Sequence, residues 1–357
     1  MMRAHIVFMA GGTGGHIFPA LALAQKCLEE GFTVSWLGTQ DSMEARIVPN
    51  HGIQIDYIPI QNVRGKGLLR WALLPLRLTK AVIVARRLLK KRQAALVVGM
   101  GGFVSGPGAL AAKTLKIPLL IHEQNAIAGM TNRYLAKLAN TVLTGFPNAF
   151  PSNITATYVG NPVRTEFIKL HAVPTTAAHQ PLRVLVVGGS QGAKIFNETL
   201  PKAMALLPKH SIDLWQQSGE KLYEATLTQF KAAGIGAKIT PFIEDMAVAY
   251  AWADIVLCRA GALTISELAA AKKPAILIPF AGAVDDHQRL NAEFLSQHNA
   301  AILILQKDCT PERLQMALLE FVNAPERLNA MADEAGKLAH TDATLKIFAA
   351  CLALIKQ

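Results

Sequence analysis

Short apolar runs alternate with longer amphipathic segments along most of the 357-residue chain. Each apolar run has the length of one buried strand, and the segments between them have the length of helices, the first near residues 20–30 and the last near 344–355. Strands that alternate with helices are typical of βαβ units, so the pattern predicts an α/β fold with parallel sheets. The predicted strands are HIVFMA, TVSWLG, ALVVGM, PLLIHE, TVLTGF, RVLVVGG, IDLWQQS, DIVLCRA and AILIPF.

An internal repeat indicates two such domains. The stretches IVFMAGGTGGHIFPALALA and VLVVGGSQGAKIFNETLPKA align at a shift of 177 residues, which pairs Gly11 with Gly188 and Gly15 with Gly192. Each copy has the pattern of a strand, a glycine-rich turn and a helix, the unit that opens a doubly wound domain. Pro162, in GNPVR, disfavours regular structure, so we expect one domain over residues 1–162 and a second over 163–340.

The glycine-rich turns are suited to binding a diphosphate. Glycine lets the backbone approach a ligand, and the following helix offers free N–H groups at its positive end. The first turn is not a dinucleotide fingerprint, because Ile17 stands where a third glycine is required, and neither turn carries the G-K-[ST] of a P-loop. An oxidoreductase is therefore disfavoured. Tight packing alone would explain one such turn, but two equivalent turns favour anion binding.

Composition indicates the cellular compartment in which the protein works and whether it needs a metal or a cofactor. Hydrophobic residues make up 51% of the chain and charged residues 17%, as in a folded protein, and no secretory signal or membrane span is evident. The four cysteines are far apart and form no C-x-x-C motif, which argues against a zinc site and favours the cytoplasm. The chain has no D-x-D pair, and amides can hold a diphosphate without an ion, so we expect no metal and no cofactor.

The net charge of +11 comes from one region. Between Asp56 and Glu123 the chain has twelve Lys and Arg residues and no Asp or Glu, and ten of the twelve lie in residues 64–92. Basic residues beside apolar ones suit an anionic membrane surface. A core helix with a solvated basic face is the alternative, and nucleic acid is disfavoured because no binding motif is evident. The apolar neighbours are Leu68, Leu69, Trp71, Leu73, Leu74 and Leu76.

Several motifs, in order from residue 10 to about 292, resemble those of the MurG family of GT-B glycosyltransferases. They are AGGTGGHIFPALALA, GMGGFVSGPGALAA, HEQNAIAG, GNPVR, VGGSQGA, RAGALTISELAA and DDHQ followed by NA. The resemblance implies two Rossmann-like doubly wound domains that face each other across a deep cleft, with residues 341–357 returning to the N-terminal domain. It also implies that the N-terminal domain binds the acceptor lipid and that UDP-N-acetylglucosamine (UDP-GlcNAc) binds mainly to the C-terminal domain.

The reaction implied by the resemblance inverts the anomeric carbon of the sugar. It moves GlcNAc to the C4 hydroxyl of N-acetylmuramic acid (MurNAc) in undecaprenyl-pyrophosphoryl-MurNAc-pentapeptide (lipid I), a step of peptidoglycan synthesis. The enzyme would be a peripheral protein on the cytoplasmic face of the bacterial inner membrane. Its partners would be an anionic membrane surface and cell-wall synthesis or division proteins, and no nucleic acid.

The resemblance also carries substrate-binding residues over to this chain, position by position. They are Thr13, Gly14, Gly15, Asn125, Arg164, Ser190, Ile243, Ala262, Leu263, Thr264, Ile265, Ser266, Glu267 and Gln288. His287 is left unassigned, because some members of the family have glutamine at that place.

His16 is the candidate catalytic residue. It follows the last glycine of the first turn, so it falls on the first turn of the predicted helix. A neutral histidine there can accept the proton of an attacking hydroxyl, and the helix N-terminus disfavours the protonated ring. We expect His16 to be the general base or to position the acceptor. A histidine that only hydrogen-bonds at a helix start is the alternative.

Three of the binding residues have simpler alternatives. Glu267 could bind two ribose hydroxyls, but Thr264 to Glu267 also has the pattern of a capping box, in which Glu267 would bond the Thr264 amide. Arg164 could clamp a diphosphate or be a solvated charge in a linker. Asn125 follows a predicted strand, where site residues occur, but it could equally be a turn residue.

The remaining polar residues near the motifs carry less information. His122 and Glu123 are adjacent, so they would point to opposite faces of a strand, and we interpret them as structural. Ile243 would act through its backbone, at the uracil edge of the donor, and its own residue type gives no sign of this.

Two other functions would use a similar fold. A UDP-sugar 2-epimerase would bind the same donor without a lipid, and a nonenzymatic adaptor would bind the sugar nucleotide and the lipid without turnover. Fold alone does not separate these functions. The ordered motifs favour the transferase.

Overall fold

The computed structural model describes residues 4–60, 74–171, 179–189 and 192–356. The chain divides into two units, each built around its own parallel sheet. The first unit is Met1–Val163 together with Thr341–Gln357, and the second is Arg164–His340. The division falls within the GNPVR stretch, where residues 159–164 form no helix or strand. The end of the chain therefore folds with its beginning.

The described part of the first unit contains a seven-stranded sheet. Its strands are β1 (His5–Met9), β2 (Thr33–Gly38), β3 (Gln54–Tyr57), β4 (Ala94–Gly99), β5 (Leu119–Glu123), β6 (Thr141–Thr144) and β7 (Thr157–Tyr158). They are parallel in the order β3-β2-β1-β4-β5-β6-β7, so the order reverses between β1 and β4. In doubly wound sheets the carboxyl ends of the strands at this reversal form the ligand crevice.

Helices cover both faces of this sheet. They are α1 (Gly14–Glu29), α2 (Met43–Ile47), α3 (Leu74–Lys91), α4 (Ser105–Thr114) and α5 (Met130–Leu135). Successive side chains of β1 point to opposite faces. Ile6 and Phe8 pack in the layer that contains α1, whereas Val7 and Met9 pack in the layer that contains α3 and α4. All four side chains are buried, as expected for a central strand covered on both sides.

The second unit repeats this design with six strands among its described residues. They are β8 (Leu182–Val187), β9 (Ile212–Gln217), β10 (Lys238–Thr240), β11 (Ile255–Cys258), β12 (Ala275–Leu277) and β13 (Ala301–Leu303). The order is β10-β9-β8-β11-β12-β13, all parallel, with the reversal between β8 and β11. Both units thus have the strand order of a Rossmann-like domain.

The helices of the second unit pack around a core centred on Val184 and Val186 of β8. Single 3₁₀ turns lie at Val48–His51 in the first unit and, in the second, at Glu220–Leu222, Val284–Asp286 and Gln306–Asp308. The helices are α6 (Thr165–His171), α7 (Lys194–Ala205), α8 (Tyr223–Ala232), α9 (Met246–Trp252), α10 (Ala262–Ala270), α11 (His287–Ser296), α12 (Pro311–Asn323) and α13 (Glu326–Lys337).

The last helix, α14 (Ala343–Ile355), completes the core of the first unit. Its residues Ile347 and Cys351 are fully buried in the layer that contains α1. The ring of Phe348 meets the ring of Phe32 edge to face, with centroids 6.0 Å apart. Each large apolar side chain buried in this way contributes about 1.5–3 kcal/mol.

The nine predicted strands are all present, and the predicted C-terminal helix is confirmed at Ala343–Ile355. The first helix begins at Gly14, so the glycine turn itself opens the helix. The prediction missed β3, β7, β10 and β13, which are the edge strands of the two sheets. Edge strands are short and partly solvated, so they lack the apolar runs that identify the inner strands.

Candidate active site

The glycine turn after β1 presents three backbone N–H groups at the start of α1. Gly12 has a φ of +91°, which lets the chain reverse, and Thr13 is the extended N-cap residue of the helix. The Thr13 carbonyl accepts the N–H groups of His16 and Ile17. The N–H groups of Thr13, Gly14 and Gly15 have no hydrogen-bond partner in the described part of the chain. This arrangement suits an anion.

A buried carboxylate accepts a hydrogen bond from the backbone of this glycine turn. Glu44, on α2, is fully buried and accepts the N–H of Gly12 at 3.3 Å. It also accepts the N–H and the hydroxyl of Thr39, at 3.2 and 3.0 Å. The Gly12 amide is therefore already satisfied, and an anion would meet the next three amides instead. The sequence pattern did not indicate Glu44, because no motif surrounds it.

A second glycine turn, after β4, packs against the first. Gly101 and Gly102 have φ values of +103° and +83°. A Cβ on Gly102 would lie 2.3 Å from the carbonyl oxygen of Gly11, and a Cβ on Gly101 would lie 2.7 Å from Nδ1 of His16. Only glycine allows the two turns to approach this closely.

His16 lies on the first turn of α1, as predicted, and it is part of a hydrogen-bonded chain. Its Nδ1 lies 2.7 Å from Oε1 of Gln124. The amide nitrogen of Gln124 lies 3.0 Å from Nδ1 of His122, and Nε2 of His122 lies 2.9 Å from the carbonyl oxygen of Gly160. Gln124 stood within the HEQN motif but was not singled out by sequence reasoning, although a polar residue directly after a strand is a signal for a site.

Asn125 is oriented by its buried neighbour Glu123. One carboxylate oxygen of Glu123 accepts the backbone N–H and the side-chain NH₂ of Asn125, at 2.9 and 3.1 Å. The other oxygen accepts the N–H of Gly129 and the side chain of Asn132. Four donors therefore satisfy one buried carboxylate, which organises the loop that carries Asn125.

The glycine turn after β8 is tied to a neighbouring loop by Gln217, the last residue of β9. The Gln217 amide donates to the Gly189 carbonyl at 2.8 Å and accepts the Ile243 N–H at 3.0 Å. Ile243 thus keeps only its carbonyl for a ligand. Gly192 donates to the same Gly189 carbonyl at 2.9 Å. Ser190, predicted to bind substrate, lies outside the described residues.

The start of α10 carries six of the expected binding residues. Gly261 is its N-cap, and Ile265 is buried with its N–H bonded to the Gly261 carbonyl, so Ile265 is a core residue. The N–H groups of Ala262, Leu263 and Thr264 have no bond in the described structure, as is usual for a first helical turn. Ser266 donates its hydroxyl to the Ala262 carbonyl at 3.1 Å.

The capping-box interpretation of Glu267 is wrong. Because the helix begins at Ala262, Thr264 lies inside it and cannot be its N-cap. The Glu267 carboxylate instead accepts from Nη2 of Arg164 at 3.0 Å. Burial raises the pKa of Glu267, and Arg164 acts against this rise. Arg164 also lies over the ring of Phe167, 4.7 Å from its centroid, so two contacts orient its side chain, which is 46% exposed to solvent.

Gln288 lies at the start of α11, and its side-chain oxygen accepts the Phe280 N–H at 2.9 Å. Its NH₂ group is therefore the part that could meet a sugar hydroxyl. The bond fixes the orientation of the amide.

The described part of the basic segment is α3, which has two different faces. Ala81, Ala85 and Leu89 are buried against the core of the first unit. The opposite face carries Leu76, which is 71% exposed, and Ile83, which is 47% exposed. The exposed basic residues on this face are Lys80, Arg87 and Lys90, and within the described chain they form no ion pair. The helix is thus both a core helix and a basic surface with exposed apolar side chains.

The sequence and fold together define a glycosyltransferase of the GT-B class. Residues 6–144 match the glycosyltransferase family 28 N-terminal domain, and residues 183–347 match the C-terminal domain of the same family. The first match spans strands β1 to β6 and the second spans β8 to β13, and together they include the glycine turns after β1, β4 and β8.

Individual relatives identify the family within this class. The chain is 47% identical over 350 residues to the UDP-N-acetylglucosamine--N-acetylmuramyl-(pentapeptide) pyrophosphoryl-undecaprenol N-acetylglucosamine transferase of Psychromonas ingrahamii, with 98% of each chain covered. It is 46% identical over 360 residues to the transferase of that name from Shewanella denitrificans, covering 100% of this chain and 98% of the other. The crystal structure of Acinetobacter baumannii MurG is 39% identical, with a TM-score of 0.84 over 98% of this chain and 100% of that one. The chain belongs to the MurG family.

Proposed function

We propose that this protein transfers GlcNAc from UDP-GlcNAc to the C4 hydroxyl of MurNAc in lipid I, in peptidoglycan synthesis. The observation that carries the proposal is the presence of His16 beside three backbone amides that have no partner among the described residues, in a chain whose relatives bear the name of this transferase. The first unit would bind the acceptor, and the second unit would bind most of the donor.

The reaction is a single displacement. The C4 oxygen of MurNAc attacks the anomeric carbon of GlcNAc, the bond from that carbon to the UDP oxygen breaks, and UDP leaves with its electron pair. His16 accepts the hydroxyl proton as the new bond forms, which is the role of a general base. The attack comes from the side opposite UDP, so the configuration at the anomeric carbon inverts.

The donor would be held by groups that meet its three parts. The amides at the start of α10 and the guanidinium of Arg164 suit the diphosphate. Glu267 can accept two ribose hydroxyls, and the Ile243 carbonyl can accept from the uracil. Gln288 can donate to a sugar hydroxyl. The amides of Thr13, Gly14 and Gly15 suit the charge that develops on the diphosphate as UDP leaves.

The protein would work at a membrane surface, since its acceptor is a polyprenyl lipid. Every helix among the described residues is too short or too polar to span a bilayer. The exposed face of α3, with Leu76 and Ile83 among basic residues, supports peripheral binding to anionic lipid. We place this surface on the cytoplasmic face of the inner membrane, as the resemblance to the MurG family implies. Cell-wall synthesis or division proteins remain partners to be sought.

The decisive experiment is incubation of the protein with UDP-GlcNAc and a short-chain lipid-linked MurNAc-pentapeptide. We expect equal amounts of UDP and of the lipid-linked disaccharide. His16→Ala should lower kcat by about 10²- to 10⁴-fold with an unchanged melting temperature.

Each competing function gives a different result. Conversion of UDP-GlcNAc without the acceptor would indicate an epimerase, and binding of both substrates without release of UDP would indicate an adaptor. Near-normal turnover by His16→Ala at saturating substrates would contradict the role of His16.

A further inference from the structure

The chain of hydrogen bonds that starts at His16 ends at a backbone carbonyl oxygen, which can only accept a hydrogen bond. Gln124 is 1% exposed and His122 is fully buried, and together they join His16 to the backbone carbonyl of Gly160. Neither residue is among the groups assigned to substrate. Their connection to the candidate catalytic group is the hydrogen bond between Gln124 and His16.

The proton positions follow from the Gly160 end. A carbonyl oxygen only accepts, so Nε2 of His122 carries a hydrogen. Burial lowers the pKa of His122 to about 4, so near pH 7 the ring is neutral and its Nδ1 is an acceptor. The donor to that nitrogen is the NH₂ group of Gln124, which also lies 3.0 Å from the His122 carbonyl oxygen. Two acceptors therefore fix the orientation of the Gln124 amide.

This orientation decides the tautomer of His16. Oε1 of Gln124 faces Nδ1 of His16 and only accepts, so Nδ1 carries the hydrogen of the neutral ring and Nε2 has the lone pair. No residue of the described chain bonds to Nε2 of His16. We propose that Gln124 and His122 are positioning residues that hold neutral His16 in the Nδ1–H tautomer, so that Nε2 takes the proton of the acceptor hydroxyl.

The inference rests on the proposed function, which assigns the proton transfer to His16. In physical terms, His122 prevents the side-chain amide of Gln124 from flipping, which would exchange the positions of its oxygen and its NH₂ group. A reversed amide would direct NH₂ at Nδ1 of His16 and favour the Nε2–H tautomer, which presents a donor to the attacking hydroxyl. A wrong histidine tautomer in a catalytic triad lowers kcat by about 10⁴. Here the tautomer would be biased rather than reversed, so a smaller loss is expected.

Two substitutions of His122 separate the two bonds that it makes. Asparagine carries its amide near the place of Nδ1 and can still accept from Gln124, whereas glutamine reaches the place of Nε2 and can still donate to Gly160. If the tautomer is what matters, His122→Gln should have a kcat at least tenfold below that of His122→Asn, with the KM for UDP-GlcNAc equal within about threefold. Equal kcat values, or the opposite ranking, would overturn the proposal.

The tautomer itself can be measured without turnover. In protein with ¹⁵N-labelled histidine, NMR should show Nε2 of His16 unprotonated in the wild type, with His16→Ala used to assign the signal. Gln124→Leu, which removes the acceptor, should give a mixture of tautomers and lower kcat by about 10- to 100-fold. A wild-type His16 that carries its proton on Nε2 would contradict the proposal.

A matched control and a separate outcome keep the two proposals distinct. His5, at the other end of β1, bonds Thr33 and Ser35 through its ring and, in the described part of the chain, no residue of the candidate site, so His5→Gln should keep the wild-type kcat. If NMR shows the Nδ1–H tautomer but His16→Ala still turns over normally, the catalytic role given to His16 fails while the tautomer control itself is supported. If the wild type forms no disaccharide, the proposed function fails, and the NMR result still decides the tautomer.

Discussion

Single polar side chains, rather than the motifs alone, set the geometry of the candidate site. Glu44 satisfies the first amide of one glycine turn, and Gln217 joins the other glycine turn to the Ile243 backbone. Neither residue stands in a recognisable motif. Their partners are distant in sequence and become neighbours only through strand order, so a pattern along the chain does not reveal them.

Glu267 offers a test at the level of one carboxylate. Glu267→Gln leaves one acceptor oxygen where ribose would use two and removes the charge that faces Arg164. We expect the KM for UDP-GlcNAc to rise about 10- to 100-fold, as for the loss of a charged hydrogen bond, and the melting temperature to fall by only a few degrees. Steady-state kinetics and thermal unfolding check this.

Glu334→Gln is the matched control for this substitution. Glu334 is a carboxylate of the same unit that pairs with Lys337 at an exposed place on α13. It should change neither quantity. Comparable losses of affinity and stability in Glu267→Gln would indicate a structural role only.

The secondary-structure elements meet at the two glycine turns of the first unit. Each turn follows a strand at the reversal of the sheet order and leads into a helix. His16 lies at the start of α1, and Gly101, in the turn between β4 and α4, packs against its ring. The turns can approach this closely because Gly101 and Gly102 carry no Cβ. The apolar pattern predicted the strands and helices, but the contact between the turns depends on their packing.

Gly102→Ala tests this contact. The substitution places a Cβ 2.3 Å from the Gly11 carbonyl at a φ of +83°, so the turn must shift. The φ alone costs about 1–2 kcal/mol. We expect a loss of stability of at least about 2 kcal/mol in chemical unfolding and a lower kcat, since the first turn carries His16.

Gly106→Ala serves as the control. Gly106 lies on α4 with open space where its Cβ would be, so alanine should be neutral or slightly stabilising. A Gly102→Ala protein as stable and active as Gly106→Ala would show that the close approach has no consequence.

The excess positive charge of the protein is concentrated in one segment, and α3 shows how the basic side chains of that segment are presented at the surface. Its buried stripe fixes the helix to the core, and its free face combines basic and apolar side chains. The two interpretations of the basic segment are therefore compatible. Leu68, Leu69, Trp71 and Leu73, which are further apolar residues of this segment, lie outside the described residues.

Binding to vesicles tests this surface. Each basic charge near anionic headgroups contributes on the order of 1 kcal/mol, so Lys80→Gln with Arg87→Gln should weaken sedimentation with phosphatidylglycerol vesicles roughly 30-fold at low salt. Added salt should reduce wild-type binding. Lys209→Gln with Lys231→Gln, which removes the same charge at exposed places on the second unit, should bind as the wild type does. Wild-type binding that is absent, or equal for both variants, would contradict the proposed surface.

Much of the architecture could be predicted before any coordinates, because burial on both faces of a parallel sheet requires apolar runs that are visible in sequence. The inner strands, the doubled design and the place of His16 on a first helical turn all follow from that requirement and from the glycines. The edge strands do not follow from it, because partly solvated strands lack an apolar run. The start of α10 and the bond between Arg164 and Glu267 do not follow either, because one hydrogen-bonding pattern is compatible with several helix starts.

Local pattern thus settled the class of fold, the repeated unit and the identity of the residues with useful chemistry. The direction in which those residues point was settled by packing. Gln124 can accept from His16 only because the fold brings Gly160 to the far side of His122. In the same way, α14 packs into a core that begins with β1, more than 300 residues earlier in the chain. Contacts between residues distant in sequence depend on the order of strands in space, which periodicity along the chain does not encode.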